Sequence, residues 1–206
     1  MNKLLTRFPA LPRVLLIVAG ALTALAIVLP LWGMTLVSTQ YPEGLRMVVY
    51  PSHIRGDLSE INALNHYIGM HPISDEFFAE LRWLPLLFGG AAVLCLFAAL
   101  VRRFWATLLP LAAMMATAVY GLVSMRERLW QFGHELDPTA PIEIEPFTPP
   151  MLGQNQIAQF ASYSYFSYGT LLPAIGAGMI VLALWMMRPT APPRPALSTA
   201  PLARVA

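Results

Sequence analysis

His66, Met70 and His71 stand as H-x3-M-H inside the polar stretch Asp57–Pro72. Imidazole and thioether together form the donor set that soft Cu(I) favours. On a helix, residues four apart share a face, so His66 and Met70 are expected on one side. At about 100° per residue, Leu58, Ile61, Leu64 and Ile68 make an apolar side. His66 falls roughly opposite, near Ser59 and Asn62. His53 and His134 are candidate completions of a metal site, and Met34, Met47, Met125 and Met151 are further donors. The competing reading is structural: His66 hydrogen-bonds a neighbouring loop, Gly69 ends the helix before Met70, and Met70 packs on the membrane surface.

Other polar residues suit interaction better than chemistry. Asn62, Asn65 and Tyr67 concentrate hydrogen-bonding groups at one helix end, suited to tying two loops together or to holding a ligand. Arg126 and Arg128 lie close to several acids, so salt bridges compete with an anionic headgroup or partner. Pro146–Gly153, with Pro149, Pro150 and Met151, is expected as a rigid extended segment that docks on this chain or on a partner.

Catalytic constellations are lacking. The chain has one lysine and no GK pair, hence no P-loop, and it has no G-x-S-x-G. His134–Glu135 does not extend to H-E-x-x-H, because Pro138 takes the second histidine's place. The single cysteine, Cys95, excludes an intrachain disulfide and a cysteine-based zinc site. The expectation is a non-enzyme. No basic patch interleaved with aromatics points to nucleic acid.

The elements that carry these residues follow from composition. Of 206 residues, 57% are hydrophobic and 12% charged, about half the usual charge of a soluble domain. Four long apolar runs separate the polar stretches, each near the length that crosses about 30 Å of hydrocarbon. The expected layout is a basic N-terminus 1–13, a first span 14–37 kinked at Pro30, and an external loop 38–82 with a helix at about 58–68. A second span 83–101, a turn 102–103 and a third span 104–125 follow, its helix protruding towards Gly133. A second external loop 126–169, a fourth span 170–187 and a disordered tail 188–206 complete the chain. Leu45–Tyr50 reads as a short strand, and Phe160–Tyr168 as an aromatic belt. Asp57 is expected to cap the loop helix, with Glu60 completing a capping box.

Charge sets the orientation. One side holds eight basic residues and no acid; the other holds five arginines, all 11 acids and all four histidines. The positive-inside rule makes the first side cytoplasmic. The predicted fold class is therefore an all-α, four-transmembrane-helix bundle, N-in and C-in, in the plasma (inner) membrane, with a small extracytoplasmic cap made of two loops. Small-residue stripes (Ala91, Cys95 and Ala99; Ala113, Thr117 and Gly121; Ala174 and Gly178) are expected at helix contacts. The spans contain no Asp, Glu, Lys, Arg or His, which disfavours ion-coupled transport and transmembrane haem.

Gly56–Met70 (GDLSEINALNHYIGM) together with Leu136–Gly153 (LDPTAPIEIEPFTPPMLG) resembles a group of small bacterial four-span membrane proteins that accompany copper-handling or nitrous-oxide-respiration systems. The resemblance covers both loops and the four-span layout and implies copper as a possible cofactor, with no ligand set to transfer. Three functions are in view: a non-catalytic accessory protein that hands copper to an external partner, an assembly or anchoring subunit, and a small permease or lipid-binding protein. Expected partners are membrane lipid and another membrane or periplasmic protein. A pocket opening laterally between spans would favour the third function.

Overall fold

The computed structural model describes residues 10–157 and 160–188. The terminal segment 1–9 and the tail 189–206 lie outside the described residues.

The chain is not an all-α bundle. Its described residues form a mixed α/β structure of five α-helices and a five-stranded antiparallel sheet. Helix α1 (Ala10–Leu25) runs through a 3₁₀ turn, Ala26–Val28, to strands β1 (Trp32–Val37), β2 (Leu45–Val49) and β3 (Ile54–Gly56). Helix α2 (Leu58–Tyr67) follows, then a 3₁₀ turn Ala79–Arg82, and the long helices α3 (Leu84–Val101) and α4 (Phe104–His134). Strands β4 (Gly153–Ile157) and β5 (Phe160–Phe166) lead into α5 (Tyr168–Met186). Among the described residues, four helical segments are long and apolar enough to cross a membrane: Ala10–Val28, Ala79–Val101, Phe104–His134 and Tyr168–Met186.

The expected first span 14–37 breaks in two at Pro30, which ends the helix instead of kinking it. Leu29 is extended, with φ −102° and ψ 151°, because a proline disfavours the helical region for the residue before it. Beyond it, Trp32–Val37 pairs with β2 on one side and β5 on the other. The supposed aromatic belt is likewise a strand. In β5, Ser162 and Ser164 are buried while Tyr163 and Tyr165 face out, the two-residue alternation of a pleated sheet.

Strand order is β3-β2-β1-β5-β4. The two central strands continue from the helical pair α1 and α5, so the sheet stands on that pair. The Ser167 and Gly169 amides donate to Leu31 O (2.9 Å) and Pro30 O (2.8 Å), which fixes the joint. Register puts Trp32, Met34 and Leu36 on one face with Leu45, Met47, Val49, Ile54 and Phe166. That face covers the core.

Asp57 serves the sheet and not the helix cap. It stands at the start of α2 without a side-chain cap bond. Its carboxylate accepts from the Arg46 amide at 2.8 Å, and its own amide donates to Arg46 O at 2.9 Å. The ladder beyond β3 takes the carboxylate that a capping box would have used.

The two connecting regions touch. The amides of Asp137 and Ile142 donate to Gly69 O (2.8 Å) and Tyr67 O (3.1 Å). Helix α4, at 31 residues, is about 46 Å long at 1.5 Å per residue. That exceeds a hydrocarbon core of about 30 Å by several turns, so its last third stands beside the sheet.

Candidate functional site: an apolar chamber under the sheet

Between the inner face of the sheet and helices α4 and α5 lies a chamber of about 600 Å³. Its roof is Trp32, Met34, Met47 and Phe166; one wall is α4 from Met114 to Phe132, the other α5 from Thr170 to Ala177. Near its floor, the early part of α4 (Ala106, Leu111 and Met114) packs in one cluster with the later part of α5 (Ala177, Ile180 and Leu184). Towards the sheet the same helices leave a gap. Met115, Tyr120, Leu122 and Ala174 line the chamber yet are exposed on the outer surface of the helices, so the mouth lies on the side between α4 and α5.

The lining explains why the space persists. Gly121 faces it, and a Cβ built there would meet no heavy atom within 4 Å. Ser162, small and buried on the central strand β5, leaves room that a larger residue would fill. Most hydroxyls in the wall are turned back on the chain. Thr117 Oγ1 donates to Ala113 O (2.9 Å), Thr170 Oγ1 to Leu31 O (2.7 Å) and Ser162 Oγ to Asn155 O (3.2 Å). Phe147 and Pro149 close the top, held by the Phe147 amide on Gly133 O (3.1 Å) and by Trp32 Nε1 donating to Met151 O (2.7 Å). Gly133 is required there, because a Cβ would strike the Phe147 carbonyl.

One charged pair faces the chamber. Arg128 Nε and one terminal nitrogen donate to the two oxygens of Glu80 (2.7 and 2.9 Å). The other terminal nitrogen donates to Gln131 Oε1 (2.9 Å), and the guanidinium carbon sits 4.9 Å from the Phe77 ring centre. The side chains are only 27% (Arg128) and 13% (Glu80) exposed. A bidentate, stacked arginine is held in one orientation.

The histidines are engaged separately. His53 stacks on Tyr50 (4.8 Å between centres), with Nδ1 2.9 Å from Ser52 Oγ. His66 is exposed and lies beside Tyr67. His71 stacks on Phe77 and reaches Glu135 at 3.6 Å. His134 stacks on Trp130, with Nδ1 3.0 Å from Trp130 O. Met70 turns inward to line the chamber. Among the described residues, no group of three or more His, Cys, Asp or Glu side chains could hold a metal ion.

The remaining polar candidates are structural. Asn62 grips Ile73 at both amide groups (3.1 and 2.7 Å), and Asn65, buried, donates to His71 O (3.3 Å). Both fold the segment after α2 back on itself; the tie between the two loops is made by backbone groups. Tyr67 contributes its carbonyl to that tie and leaves its ring exposed. Arg126, exposed, borders a smaller recess with Pro149, Pro150 and Met151. Pro146–Gly153 docks on its own chain.

No protein-family model matches this sequence, and no curated protein does. The site therefore rests on its geometry.

Proposed function

We propose that this chain is a non-catalytic, multi-pass membrane protein that binds a lipid-like chain in the chamber between the sheet and helices α4 and α5. The chamber carries the proposal. A recess of about 600 Å³ that opens between two candidate spans is filled by whatever surrounds it. Water is a poor filler, because a buried water needs about two to four polar partners and the wall is almost wholly apolar. The volume falls in the range of about 300–1,000 Å³ usual for ligand sites. A mouth between two candidate spans faces hydrocarbon, so the available filler is a lipid chain.

Depth agrees with this reading. Trp83 and Tyr168, exposed at the starts of α3 and α5, suit the membrane interface. Met114–Met125 then lies at hydrocarbon depth, and Glu80 and Arg128 lie at headgroup level. The charge asymmetry supports an orientation with the sheet on the external side of the plasma membrane. Copper hand-over lacks comparable support, since His66 and Met70 face different surroundings.

Native mass spectrometry of protein extracted in mild detergent tests the proposal. Wild type should retain a discrete lipid mass. The double variant Ala118→Leu/Gly121→Leu, which fills the chamber, should lose at least about 80% of it while keeping its melting temperature. Equal retention in both proteins would refute a chamber-bound lipid.

A further inference from the structure

The chamber is polar at one end only, and that end has spare hydrogen-bond donors. Arginine carries five N–H donors. Three are used, two on Glu80 and one on Gln131; two remain. Glu80 cancels the charge and accepts from Arg128 through both its oxygens. A ligand therefore meets a held, neutralised donor. Phe77 under the guanidinium leaves it little freedom to lose on binding, which is preorganisation. From Met114 to Arg128 the chamber extends along 14 residues of α4, about 21 Å. A single leaflet of hydrocarbon is roughly 15 Å deep, half of about 30 Å. A tail can fill the apolar part while its head reaches the pair.

We propose that the Arg128–Glu80 pair is the receptor for the ligand's polar end, and that the ligand is an amphiphile whose head accepts hydrogen bonds through carbonyl, ester or phosphate oxygens. This rests on the chamber being a lipid site and goes further by assigning the head. Headless hydrocarbons are the chemistry it rejects. Ester lipids and tailed quinones share the accepted chemistry and are separated by the probes.

The experiment is competition against a phospholipid bearing a diazirine on its acyl chain, with full-length protein in nanodiscs. Competitors are a diacyl phosphatidylglycerol, a quinone with an isoprenoid tail, and a branched alkane of equal chain length. On wild type, at least one acceptor-headed competitor should displace the label about tenfold more effectively than the alkane; which one does so identifies the source. Glu80→Gln/Arg128→Gln removes both charges together, leaving no orphaned ion. In it the preference should fall to within about twofold, while photolabelling of α4 near Met114 persists. Persisting label separates this inference from the parent proposal, which fails in this assay if the label never enters the chamber. Phe77→Leu, which frees the guanidinium without removing it, should lower the preference about threefold, and it serves if the double variant does not fold. A preference unchanged in the variant that folds, or none in wild type, overturns the inference.

Discussion

The two sides of the helical layer differ in packing. Where α1 meets α3 and α5, Leu16, Ala19, Cys95, Ala98 and Ile180 are fully buried. A Cβ on Gly20 would lie 3.0 Å from Cys95 Cβ, and one on Gly176 would lie 3.2 Å from Ala19 O. Where α4 and α5 face each other under the sheet, Gly121 touches nothing on that side and the chamber opens. The same residue type thus does opposite work. On one side small residues let helices close, which is how spans associate in lipid; on the other they hold space open. The first side is a scaffold that fixes the central strands through β1 and β5. The second leaves the chamber open.

Substitutions should separate the two sides sharply. The largest effect is expected at Gly20→Leu, where overpacking costs about 3 kcal/mol; thermal unfolding in detergent should show a clear drop. Gly121→Ala should be neutral or up to about 1 kcal/mol more stable, from helix propensity alone. If the two variants lose stability equally, the contrast between scaffold and chamber is wrong.

Next comes Glu80→Ala. Stripping the partner from a buried pair costs roughly 3–5 kcal/mol. Arg128 keeps 27% of its side chain exposed, so screening reduces the expected loss to about 2 kcal/mol. Denaturant titration checks it, and the double Gln variant should recover at least half of the loss. Trp32→Phe keeps the chamber's roof but deletes the indole bond to Met151 O. About 1 kcal/mol is expected, with amide exchange rising across 146–152 and unchanged in α1.

The smallest effect lies at the rim. The Thr139 hydroxyl (2.7 Å) and then its amide (2.8 Å) hold the Asp137 carboxyl below the usual carboxylate range. A carboxyl depressed in the folded state stabilises above its unfolded pKa, and that stability fades as pH falls through the folded value. Thr139→Ala should raise the Asp137 pKa in a carbon-detected NMR titration and shrink the acid-dependent loss, which then ends at a higher pH. The scaffold side should show no change.

Much of the helical layer was legible. The apolar runs, the helix after Asp57 and the Leu45 strand all have local signals of period and punctuation. The sheet was hidden for two physical reasons. Trp32–Val37 is as apolar as the helix before it, so hydropathy runs through the break that Pro30 makes. Strand β5 turns serines inward and tyrosines outward, the reverse of the usual alternation, because its inner face borders a space that larger side chains would fill. The chamber left less trace still. A glycine that admits a neighbouring helix and a glycine that keeps one away look alike in sequence, so Gly121 read as a packing residue. The histidine and methionine spacing was legible, but partners distant in sequence decided its outcome: Glu135 and Phe77 hold His71, Trp130 holds His134, and Met70 joins the chamber wall.

Crosslinking from inside the chamber tests the central claim most directly. A photoreactive amino acid placed at Met114, at the buried Cys95 and at the exposed Val93 would be activated in intact membranes, and the adducts weighed. Met114 should capture one lipid species in high yield, Cys95 only protein, and Val93 the mixed bulk lipids. If Met114 yields only protein adducts, or the same mixture as Val93, the chamber does not hold a lipid.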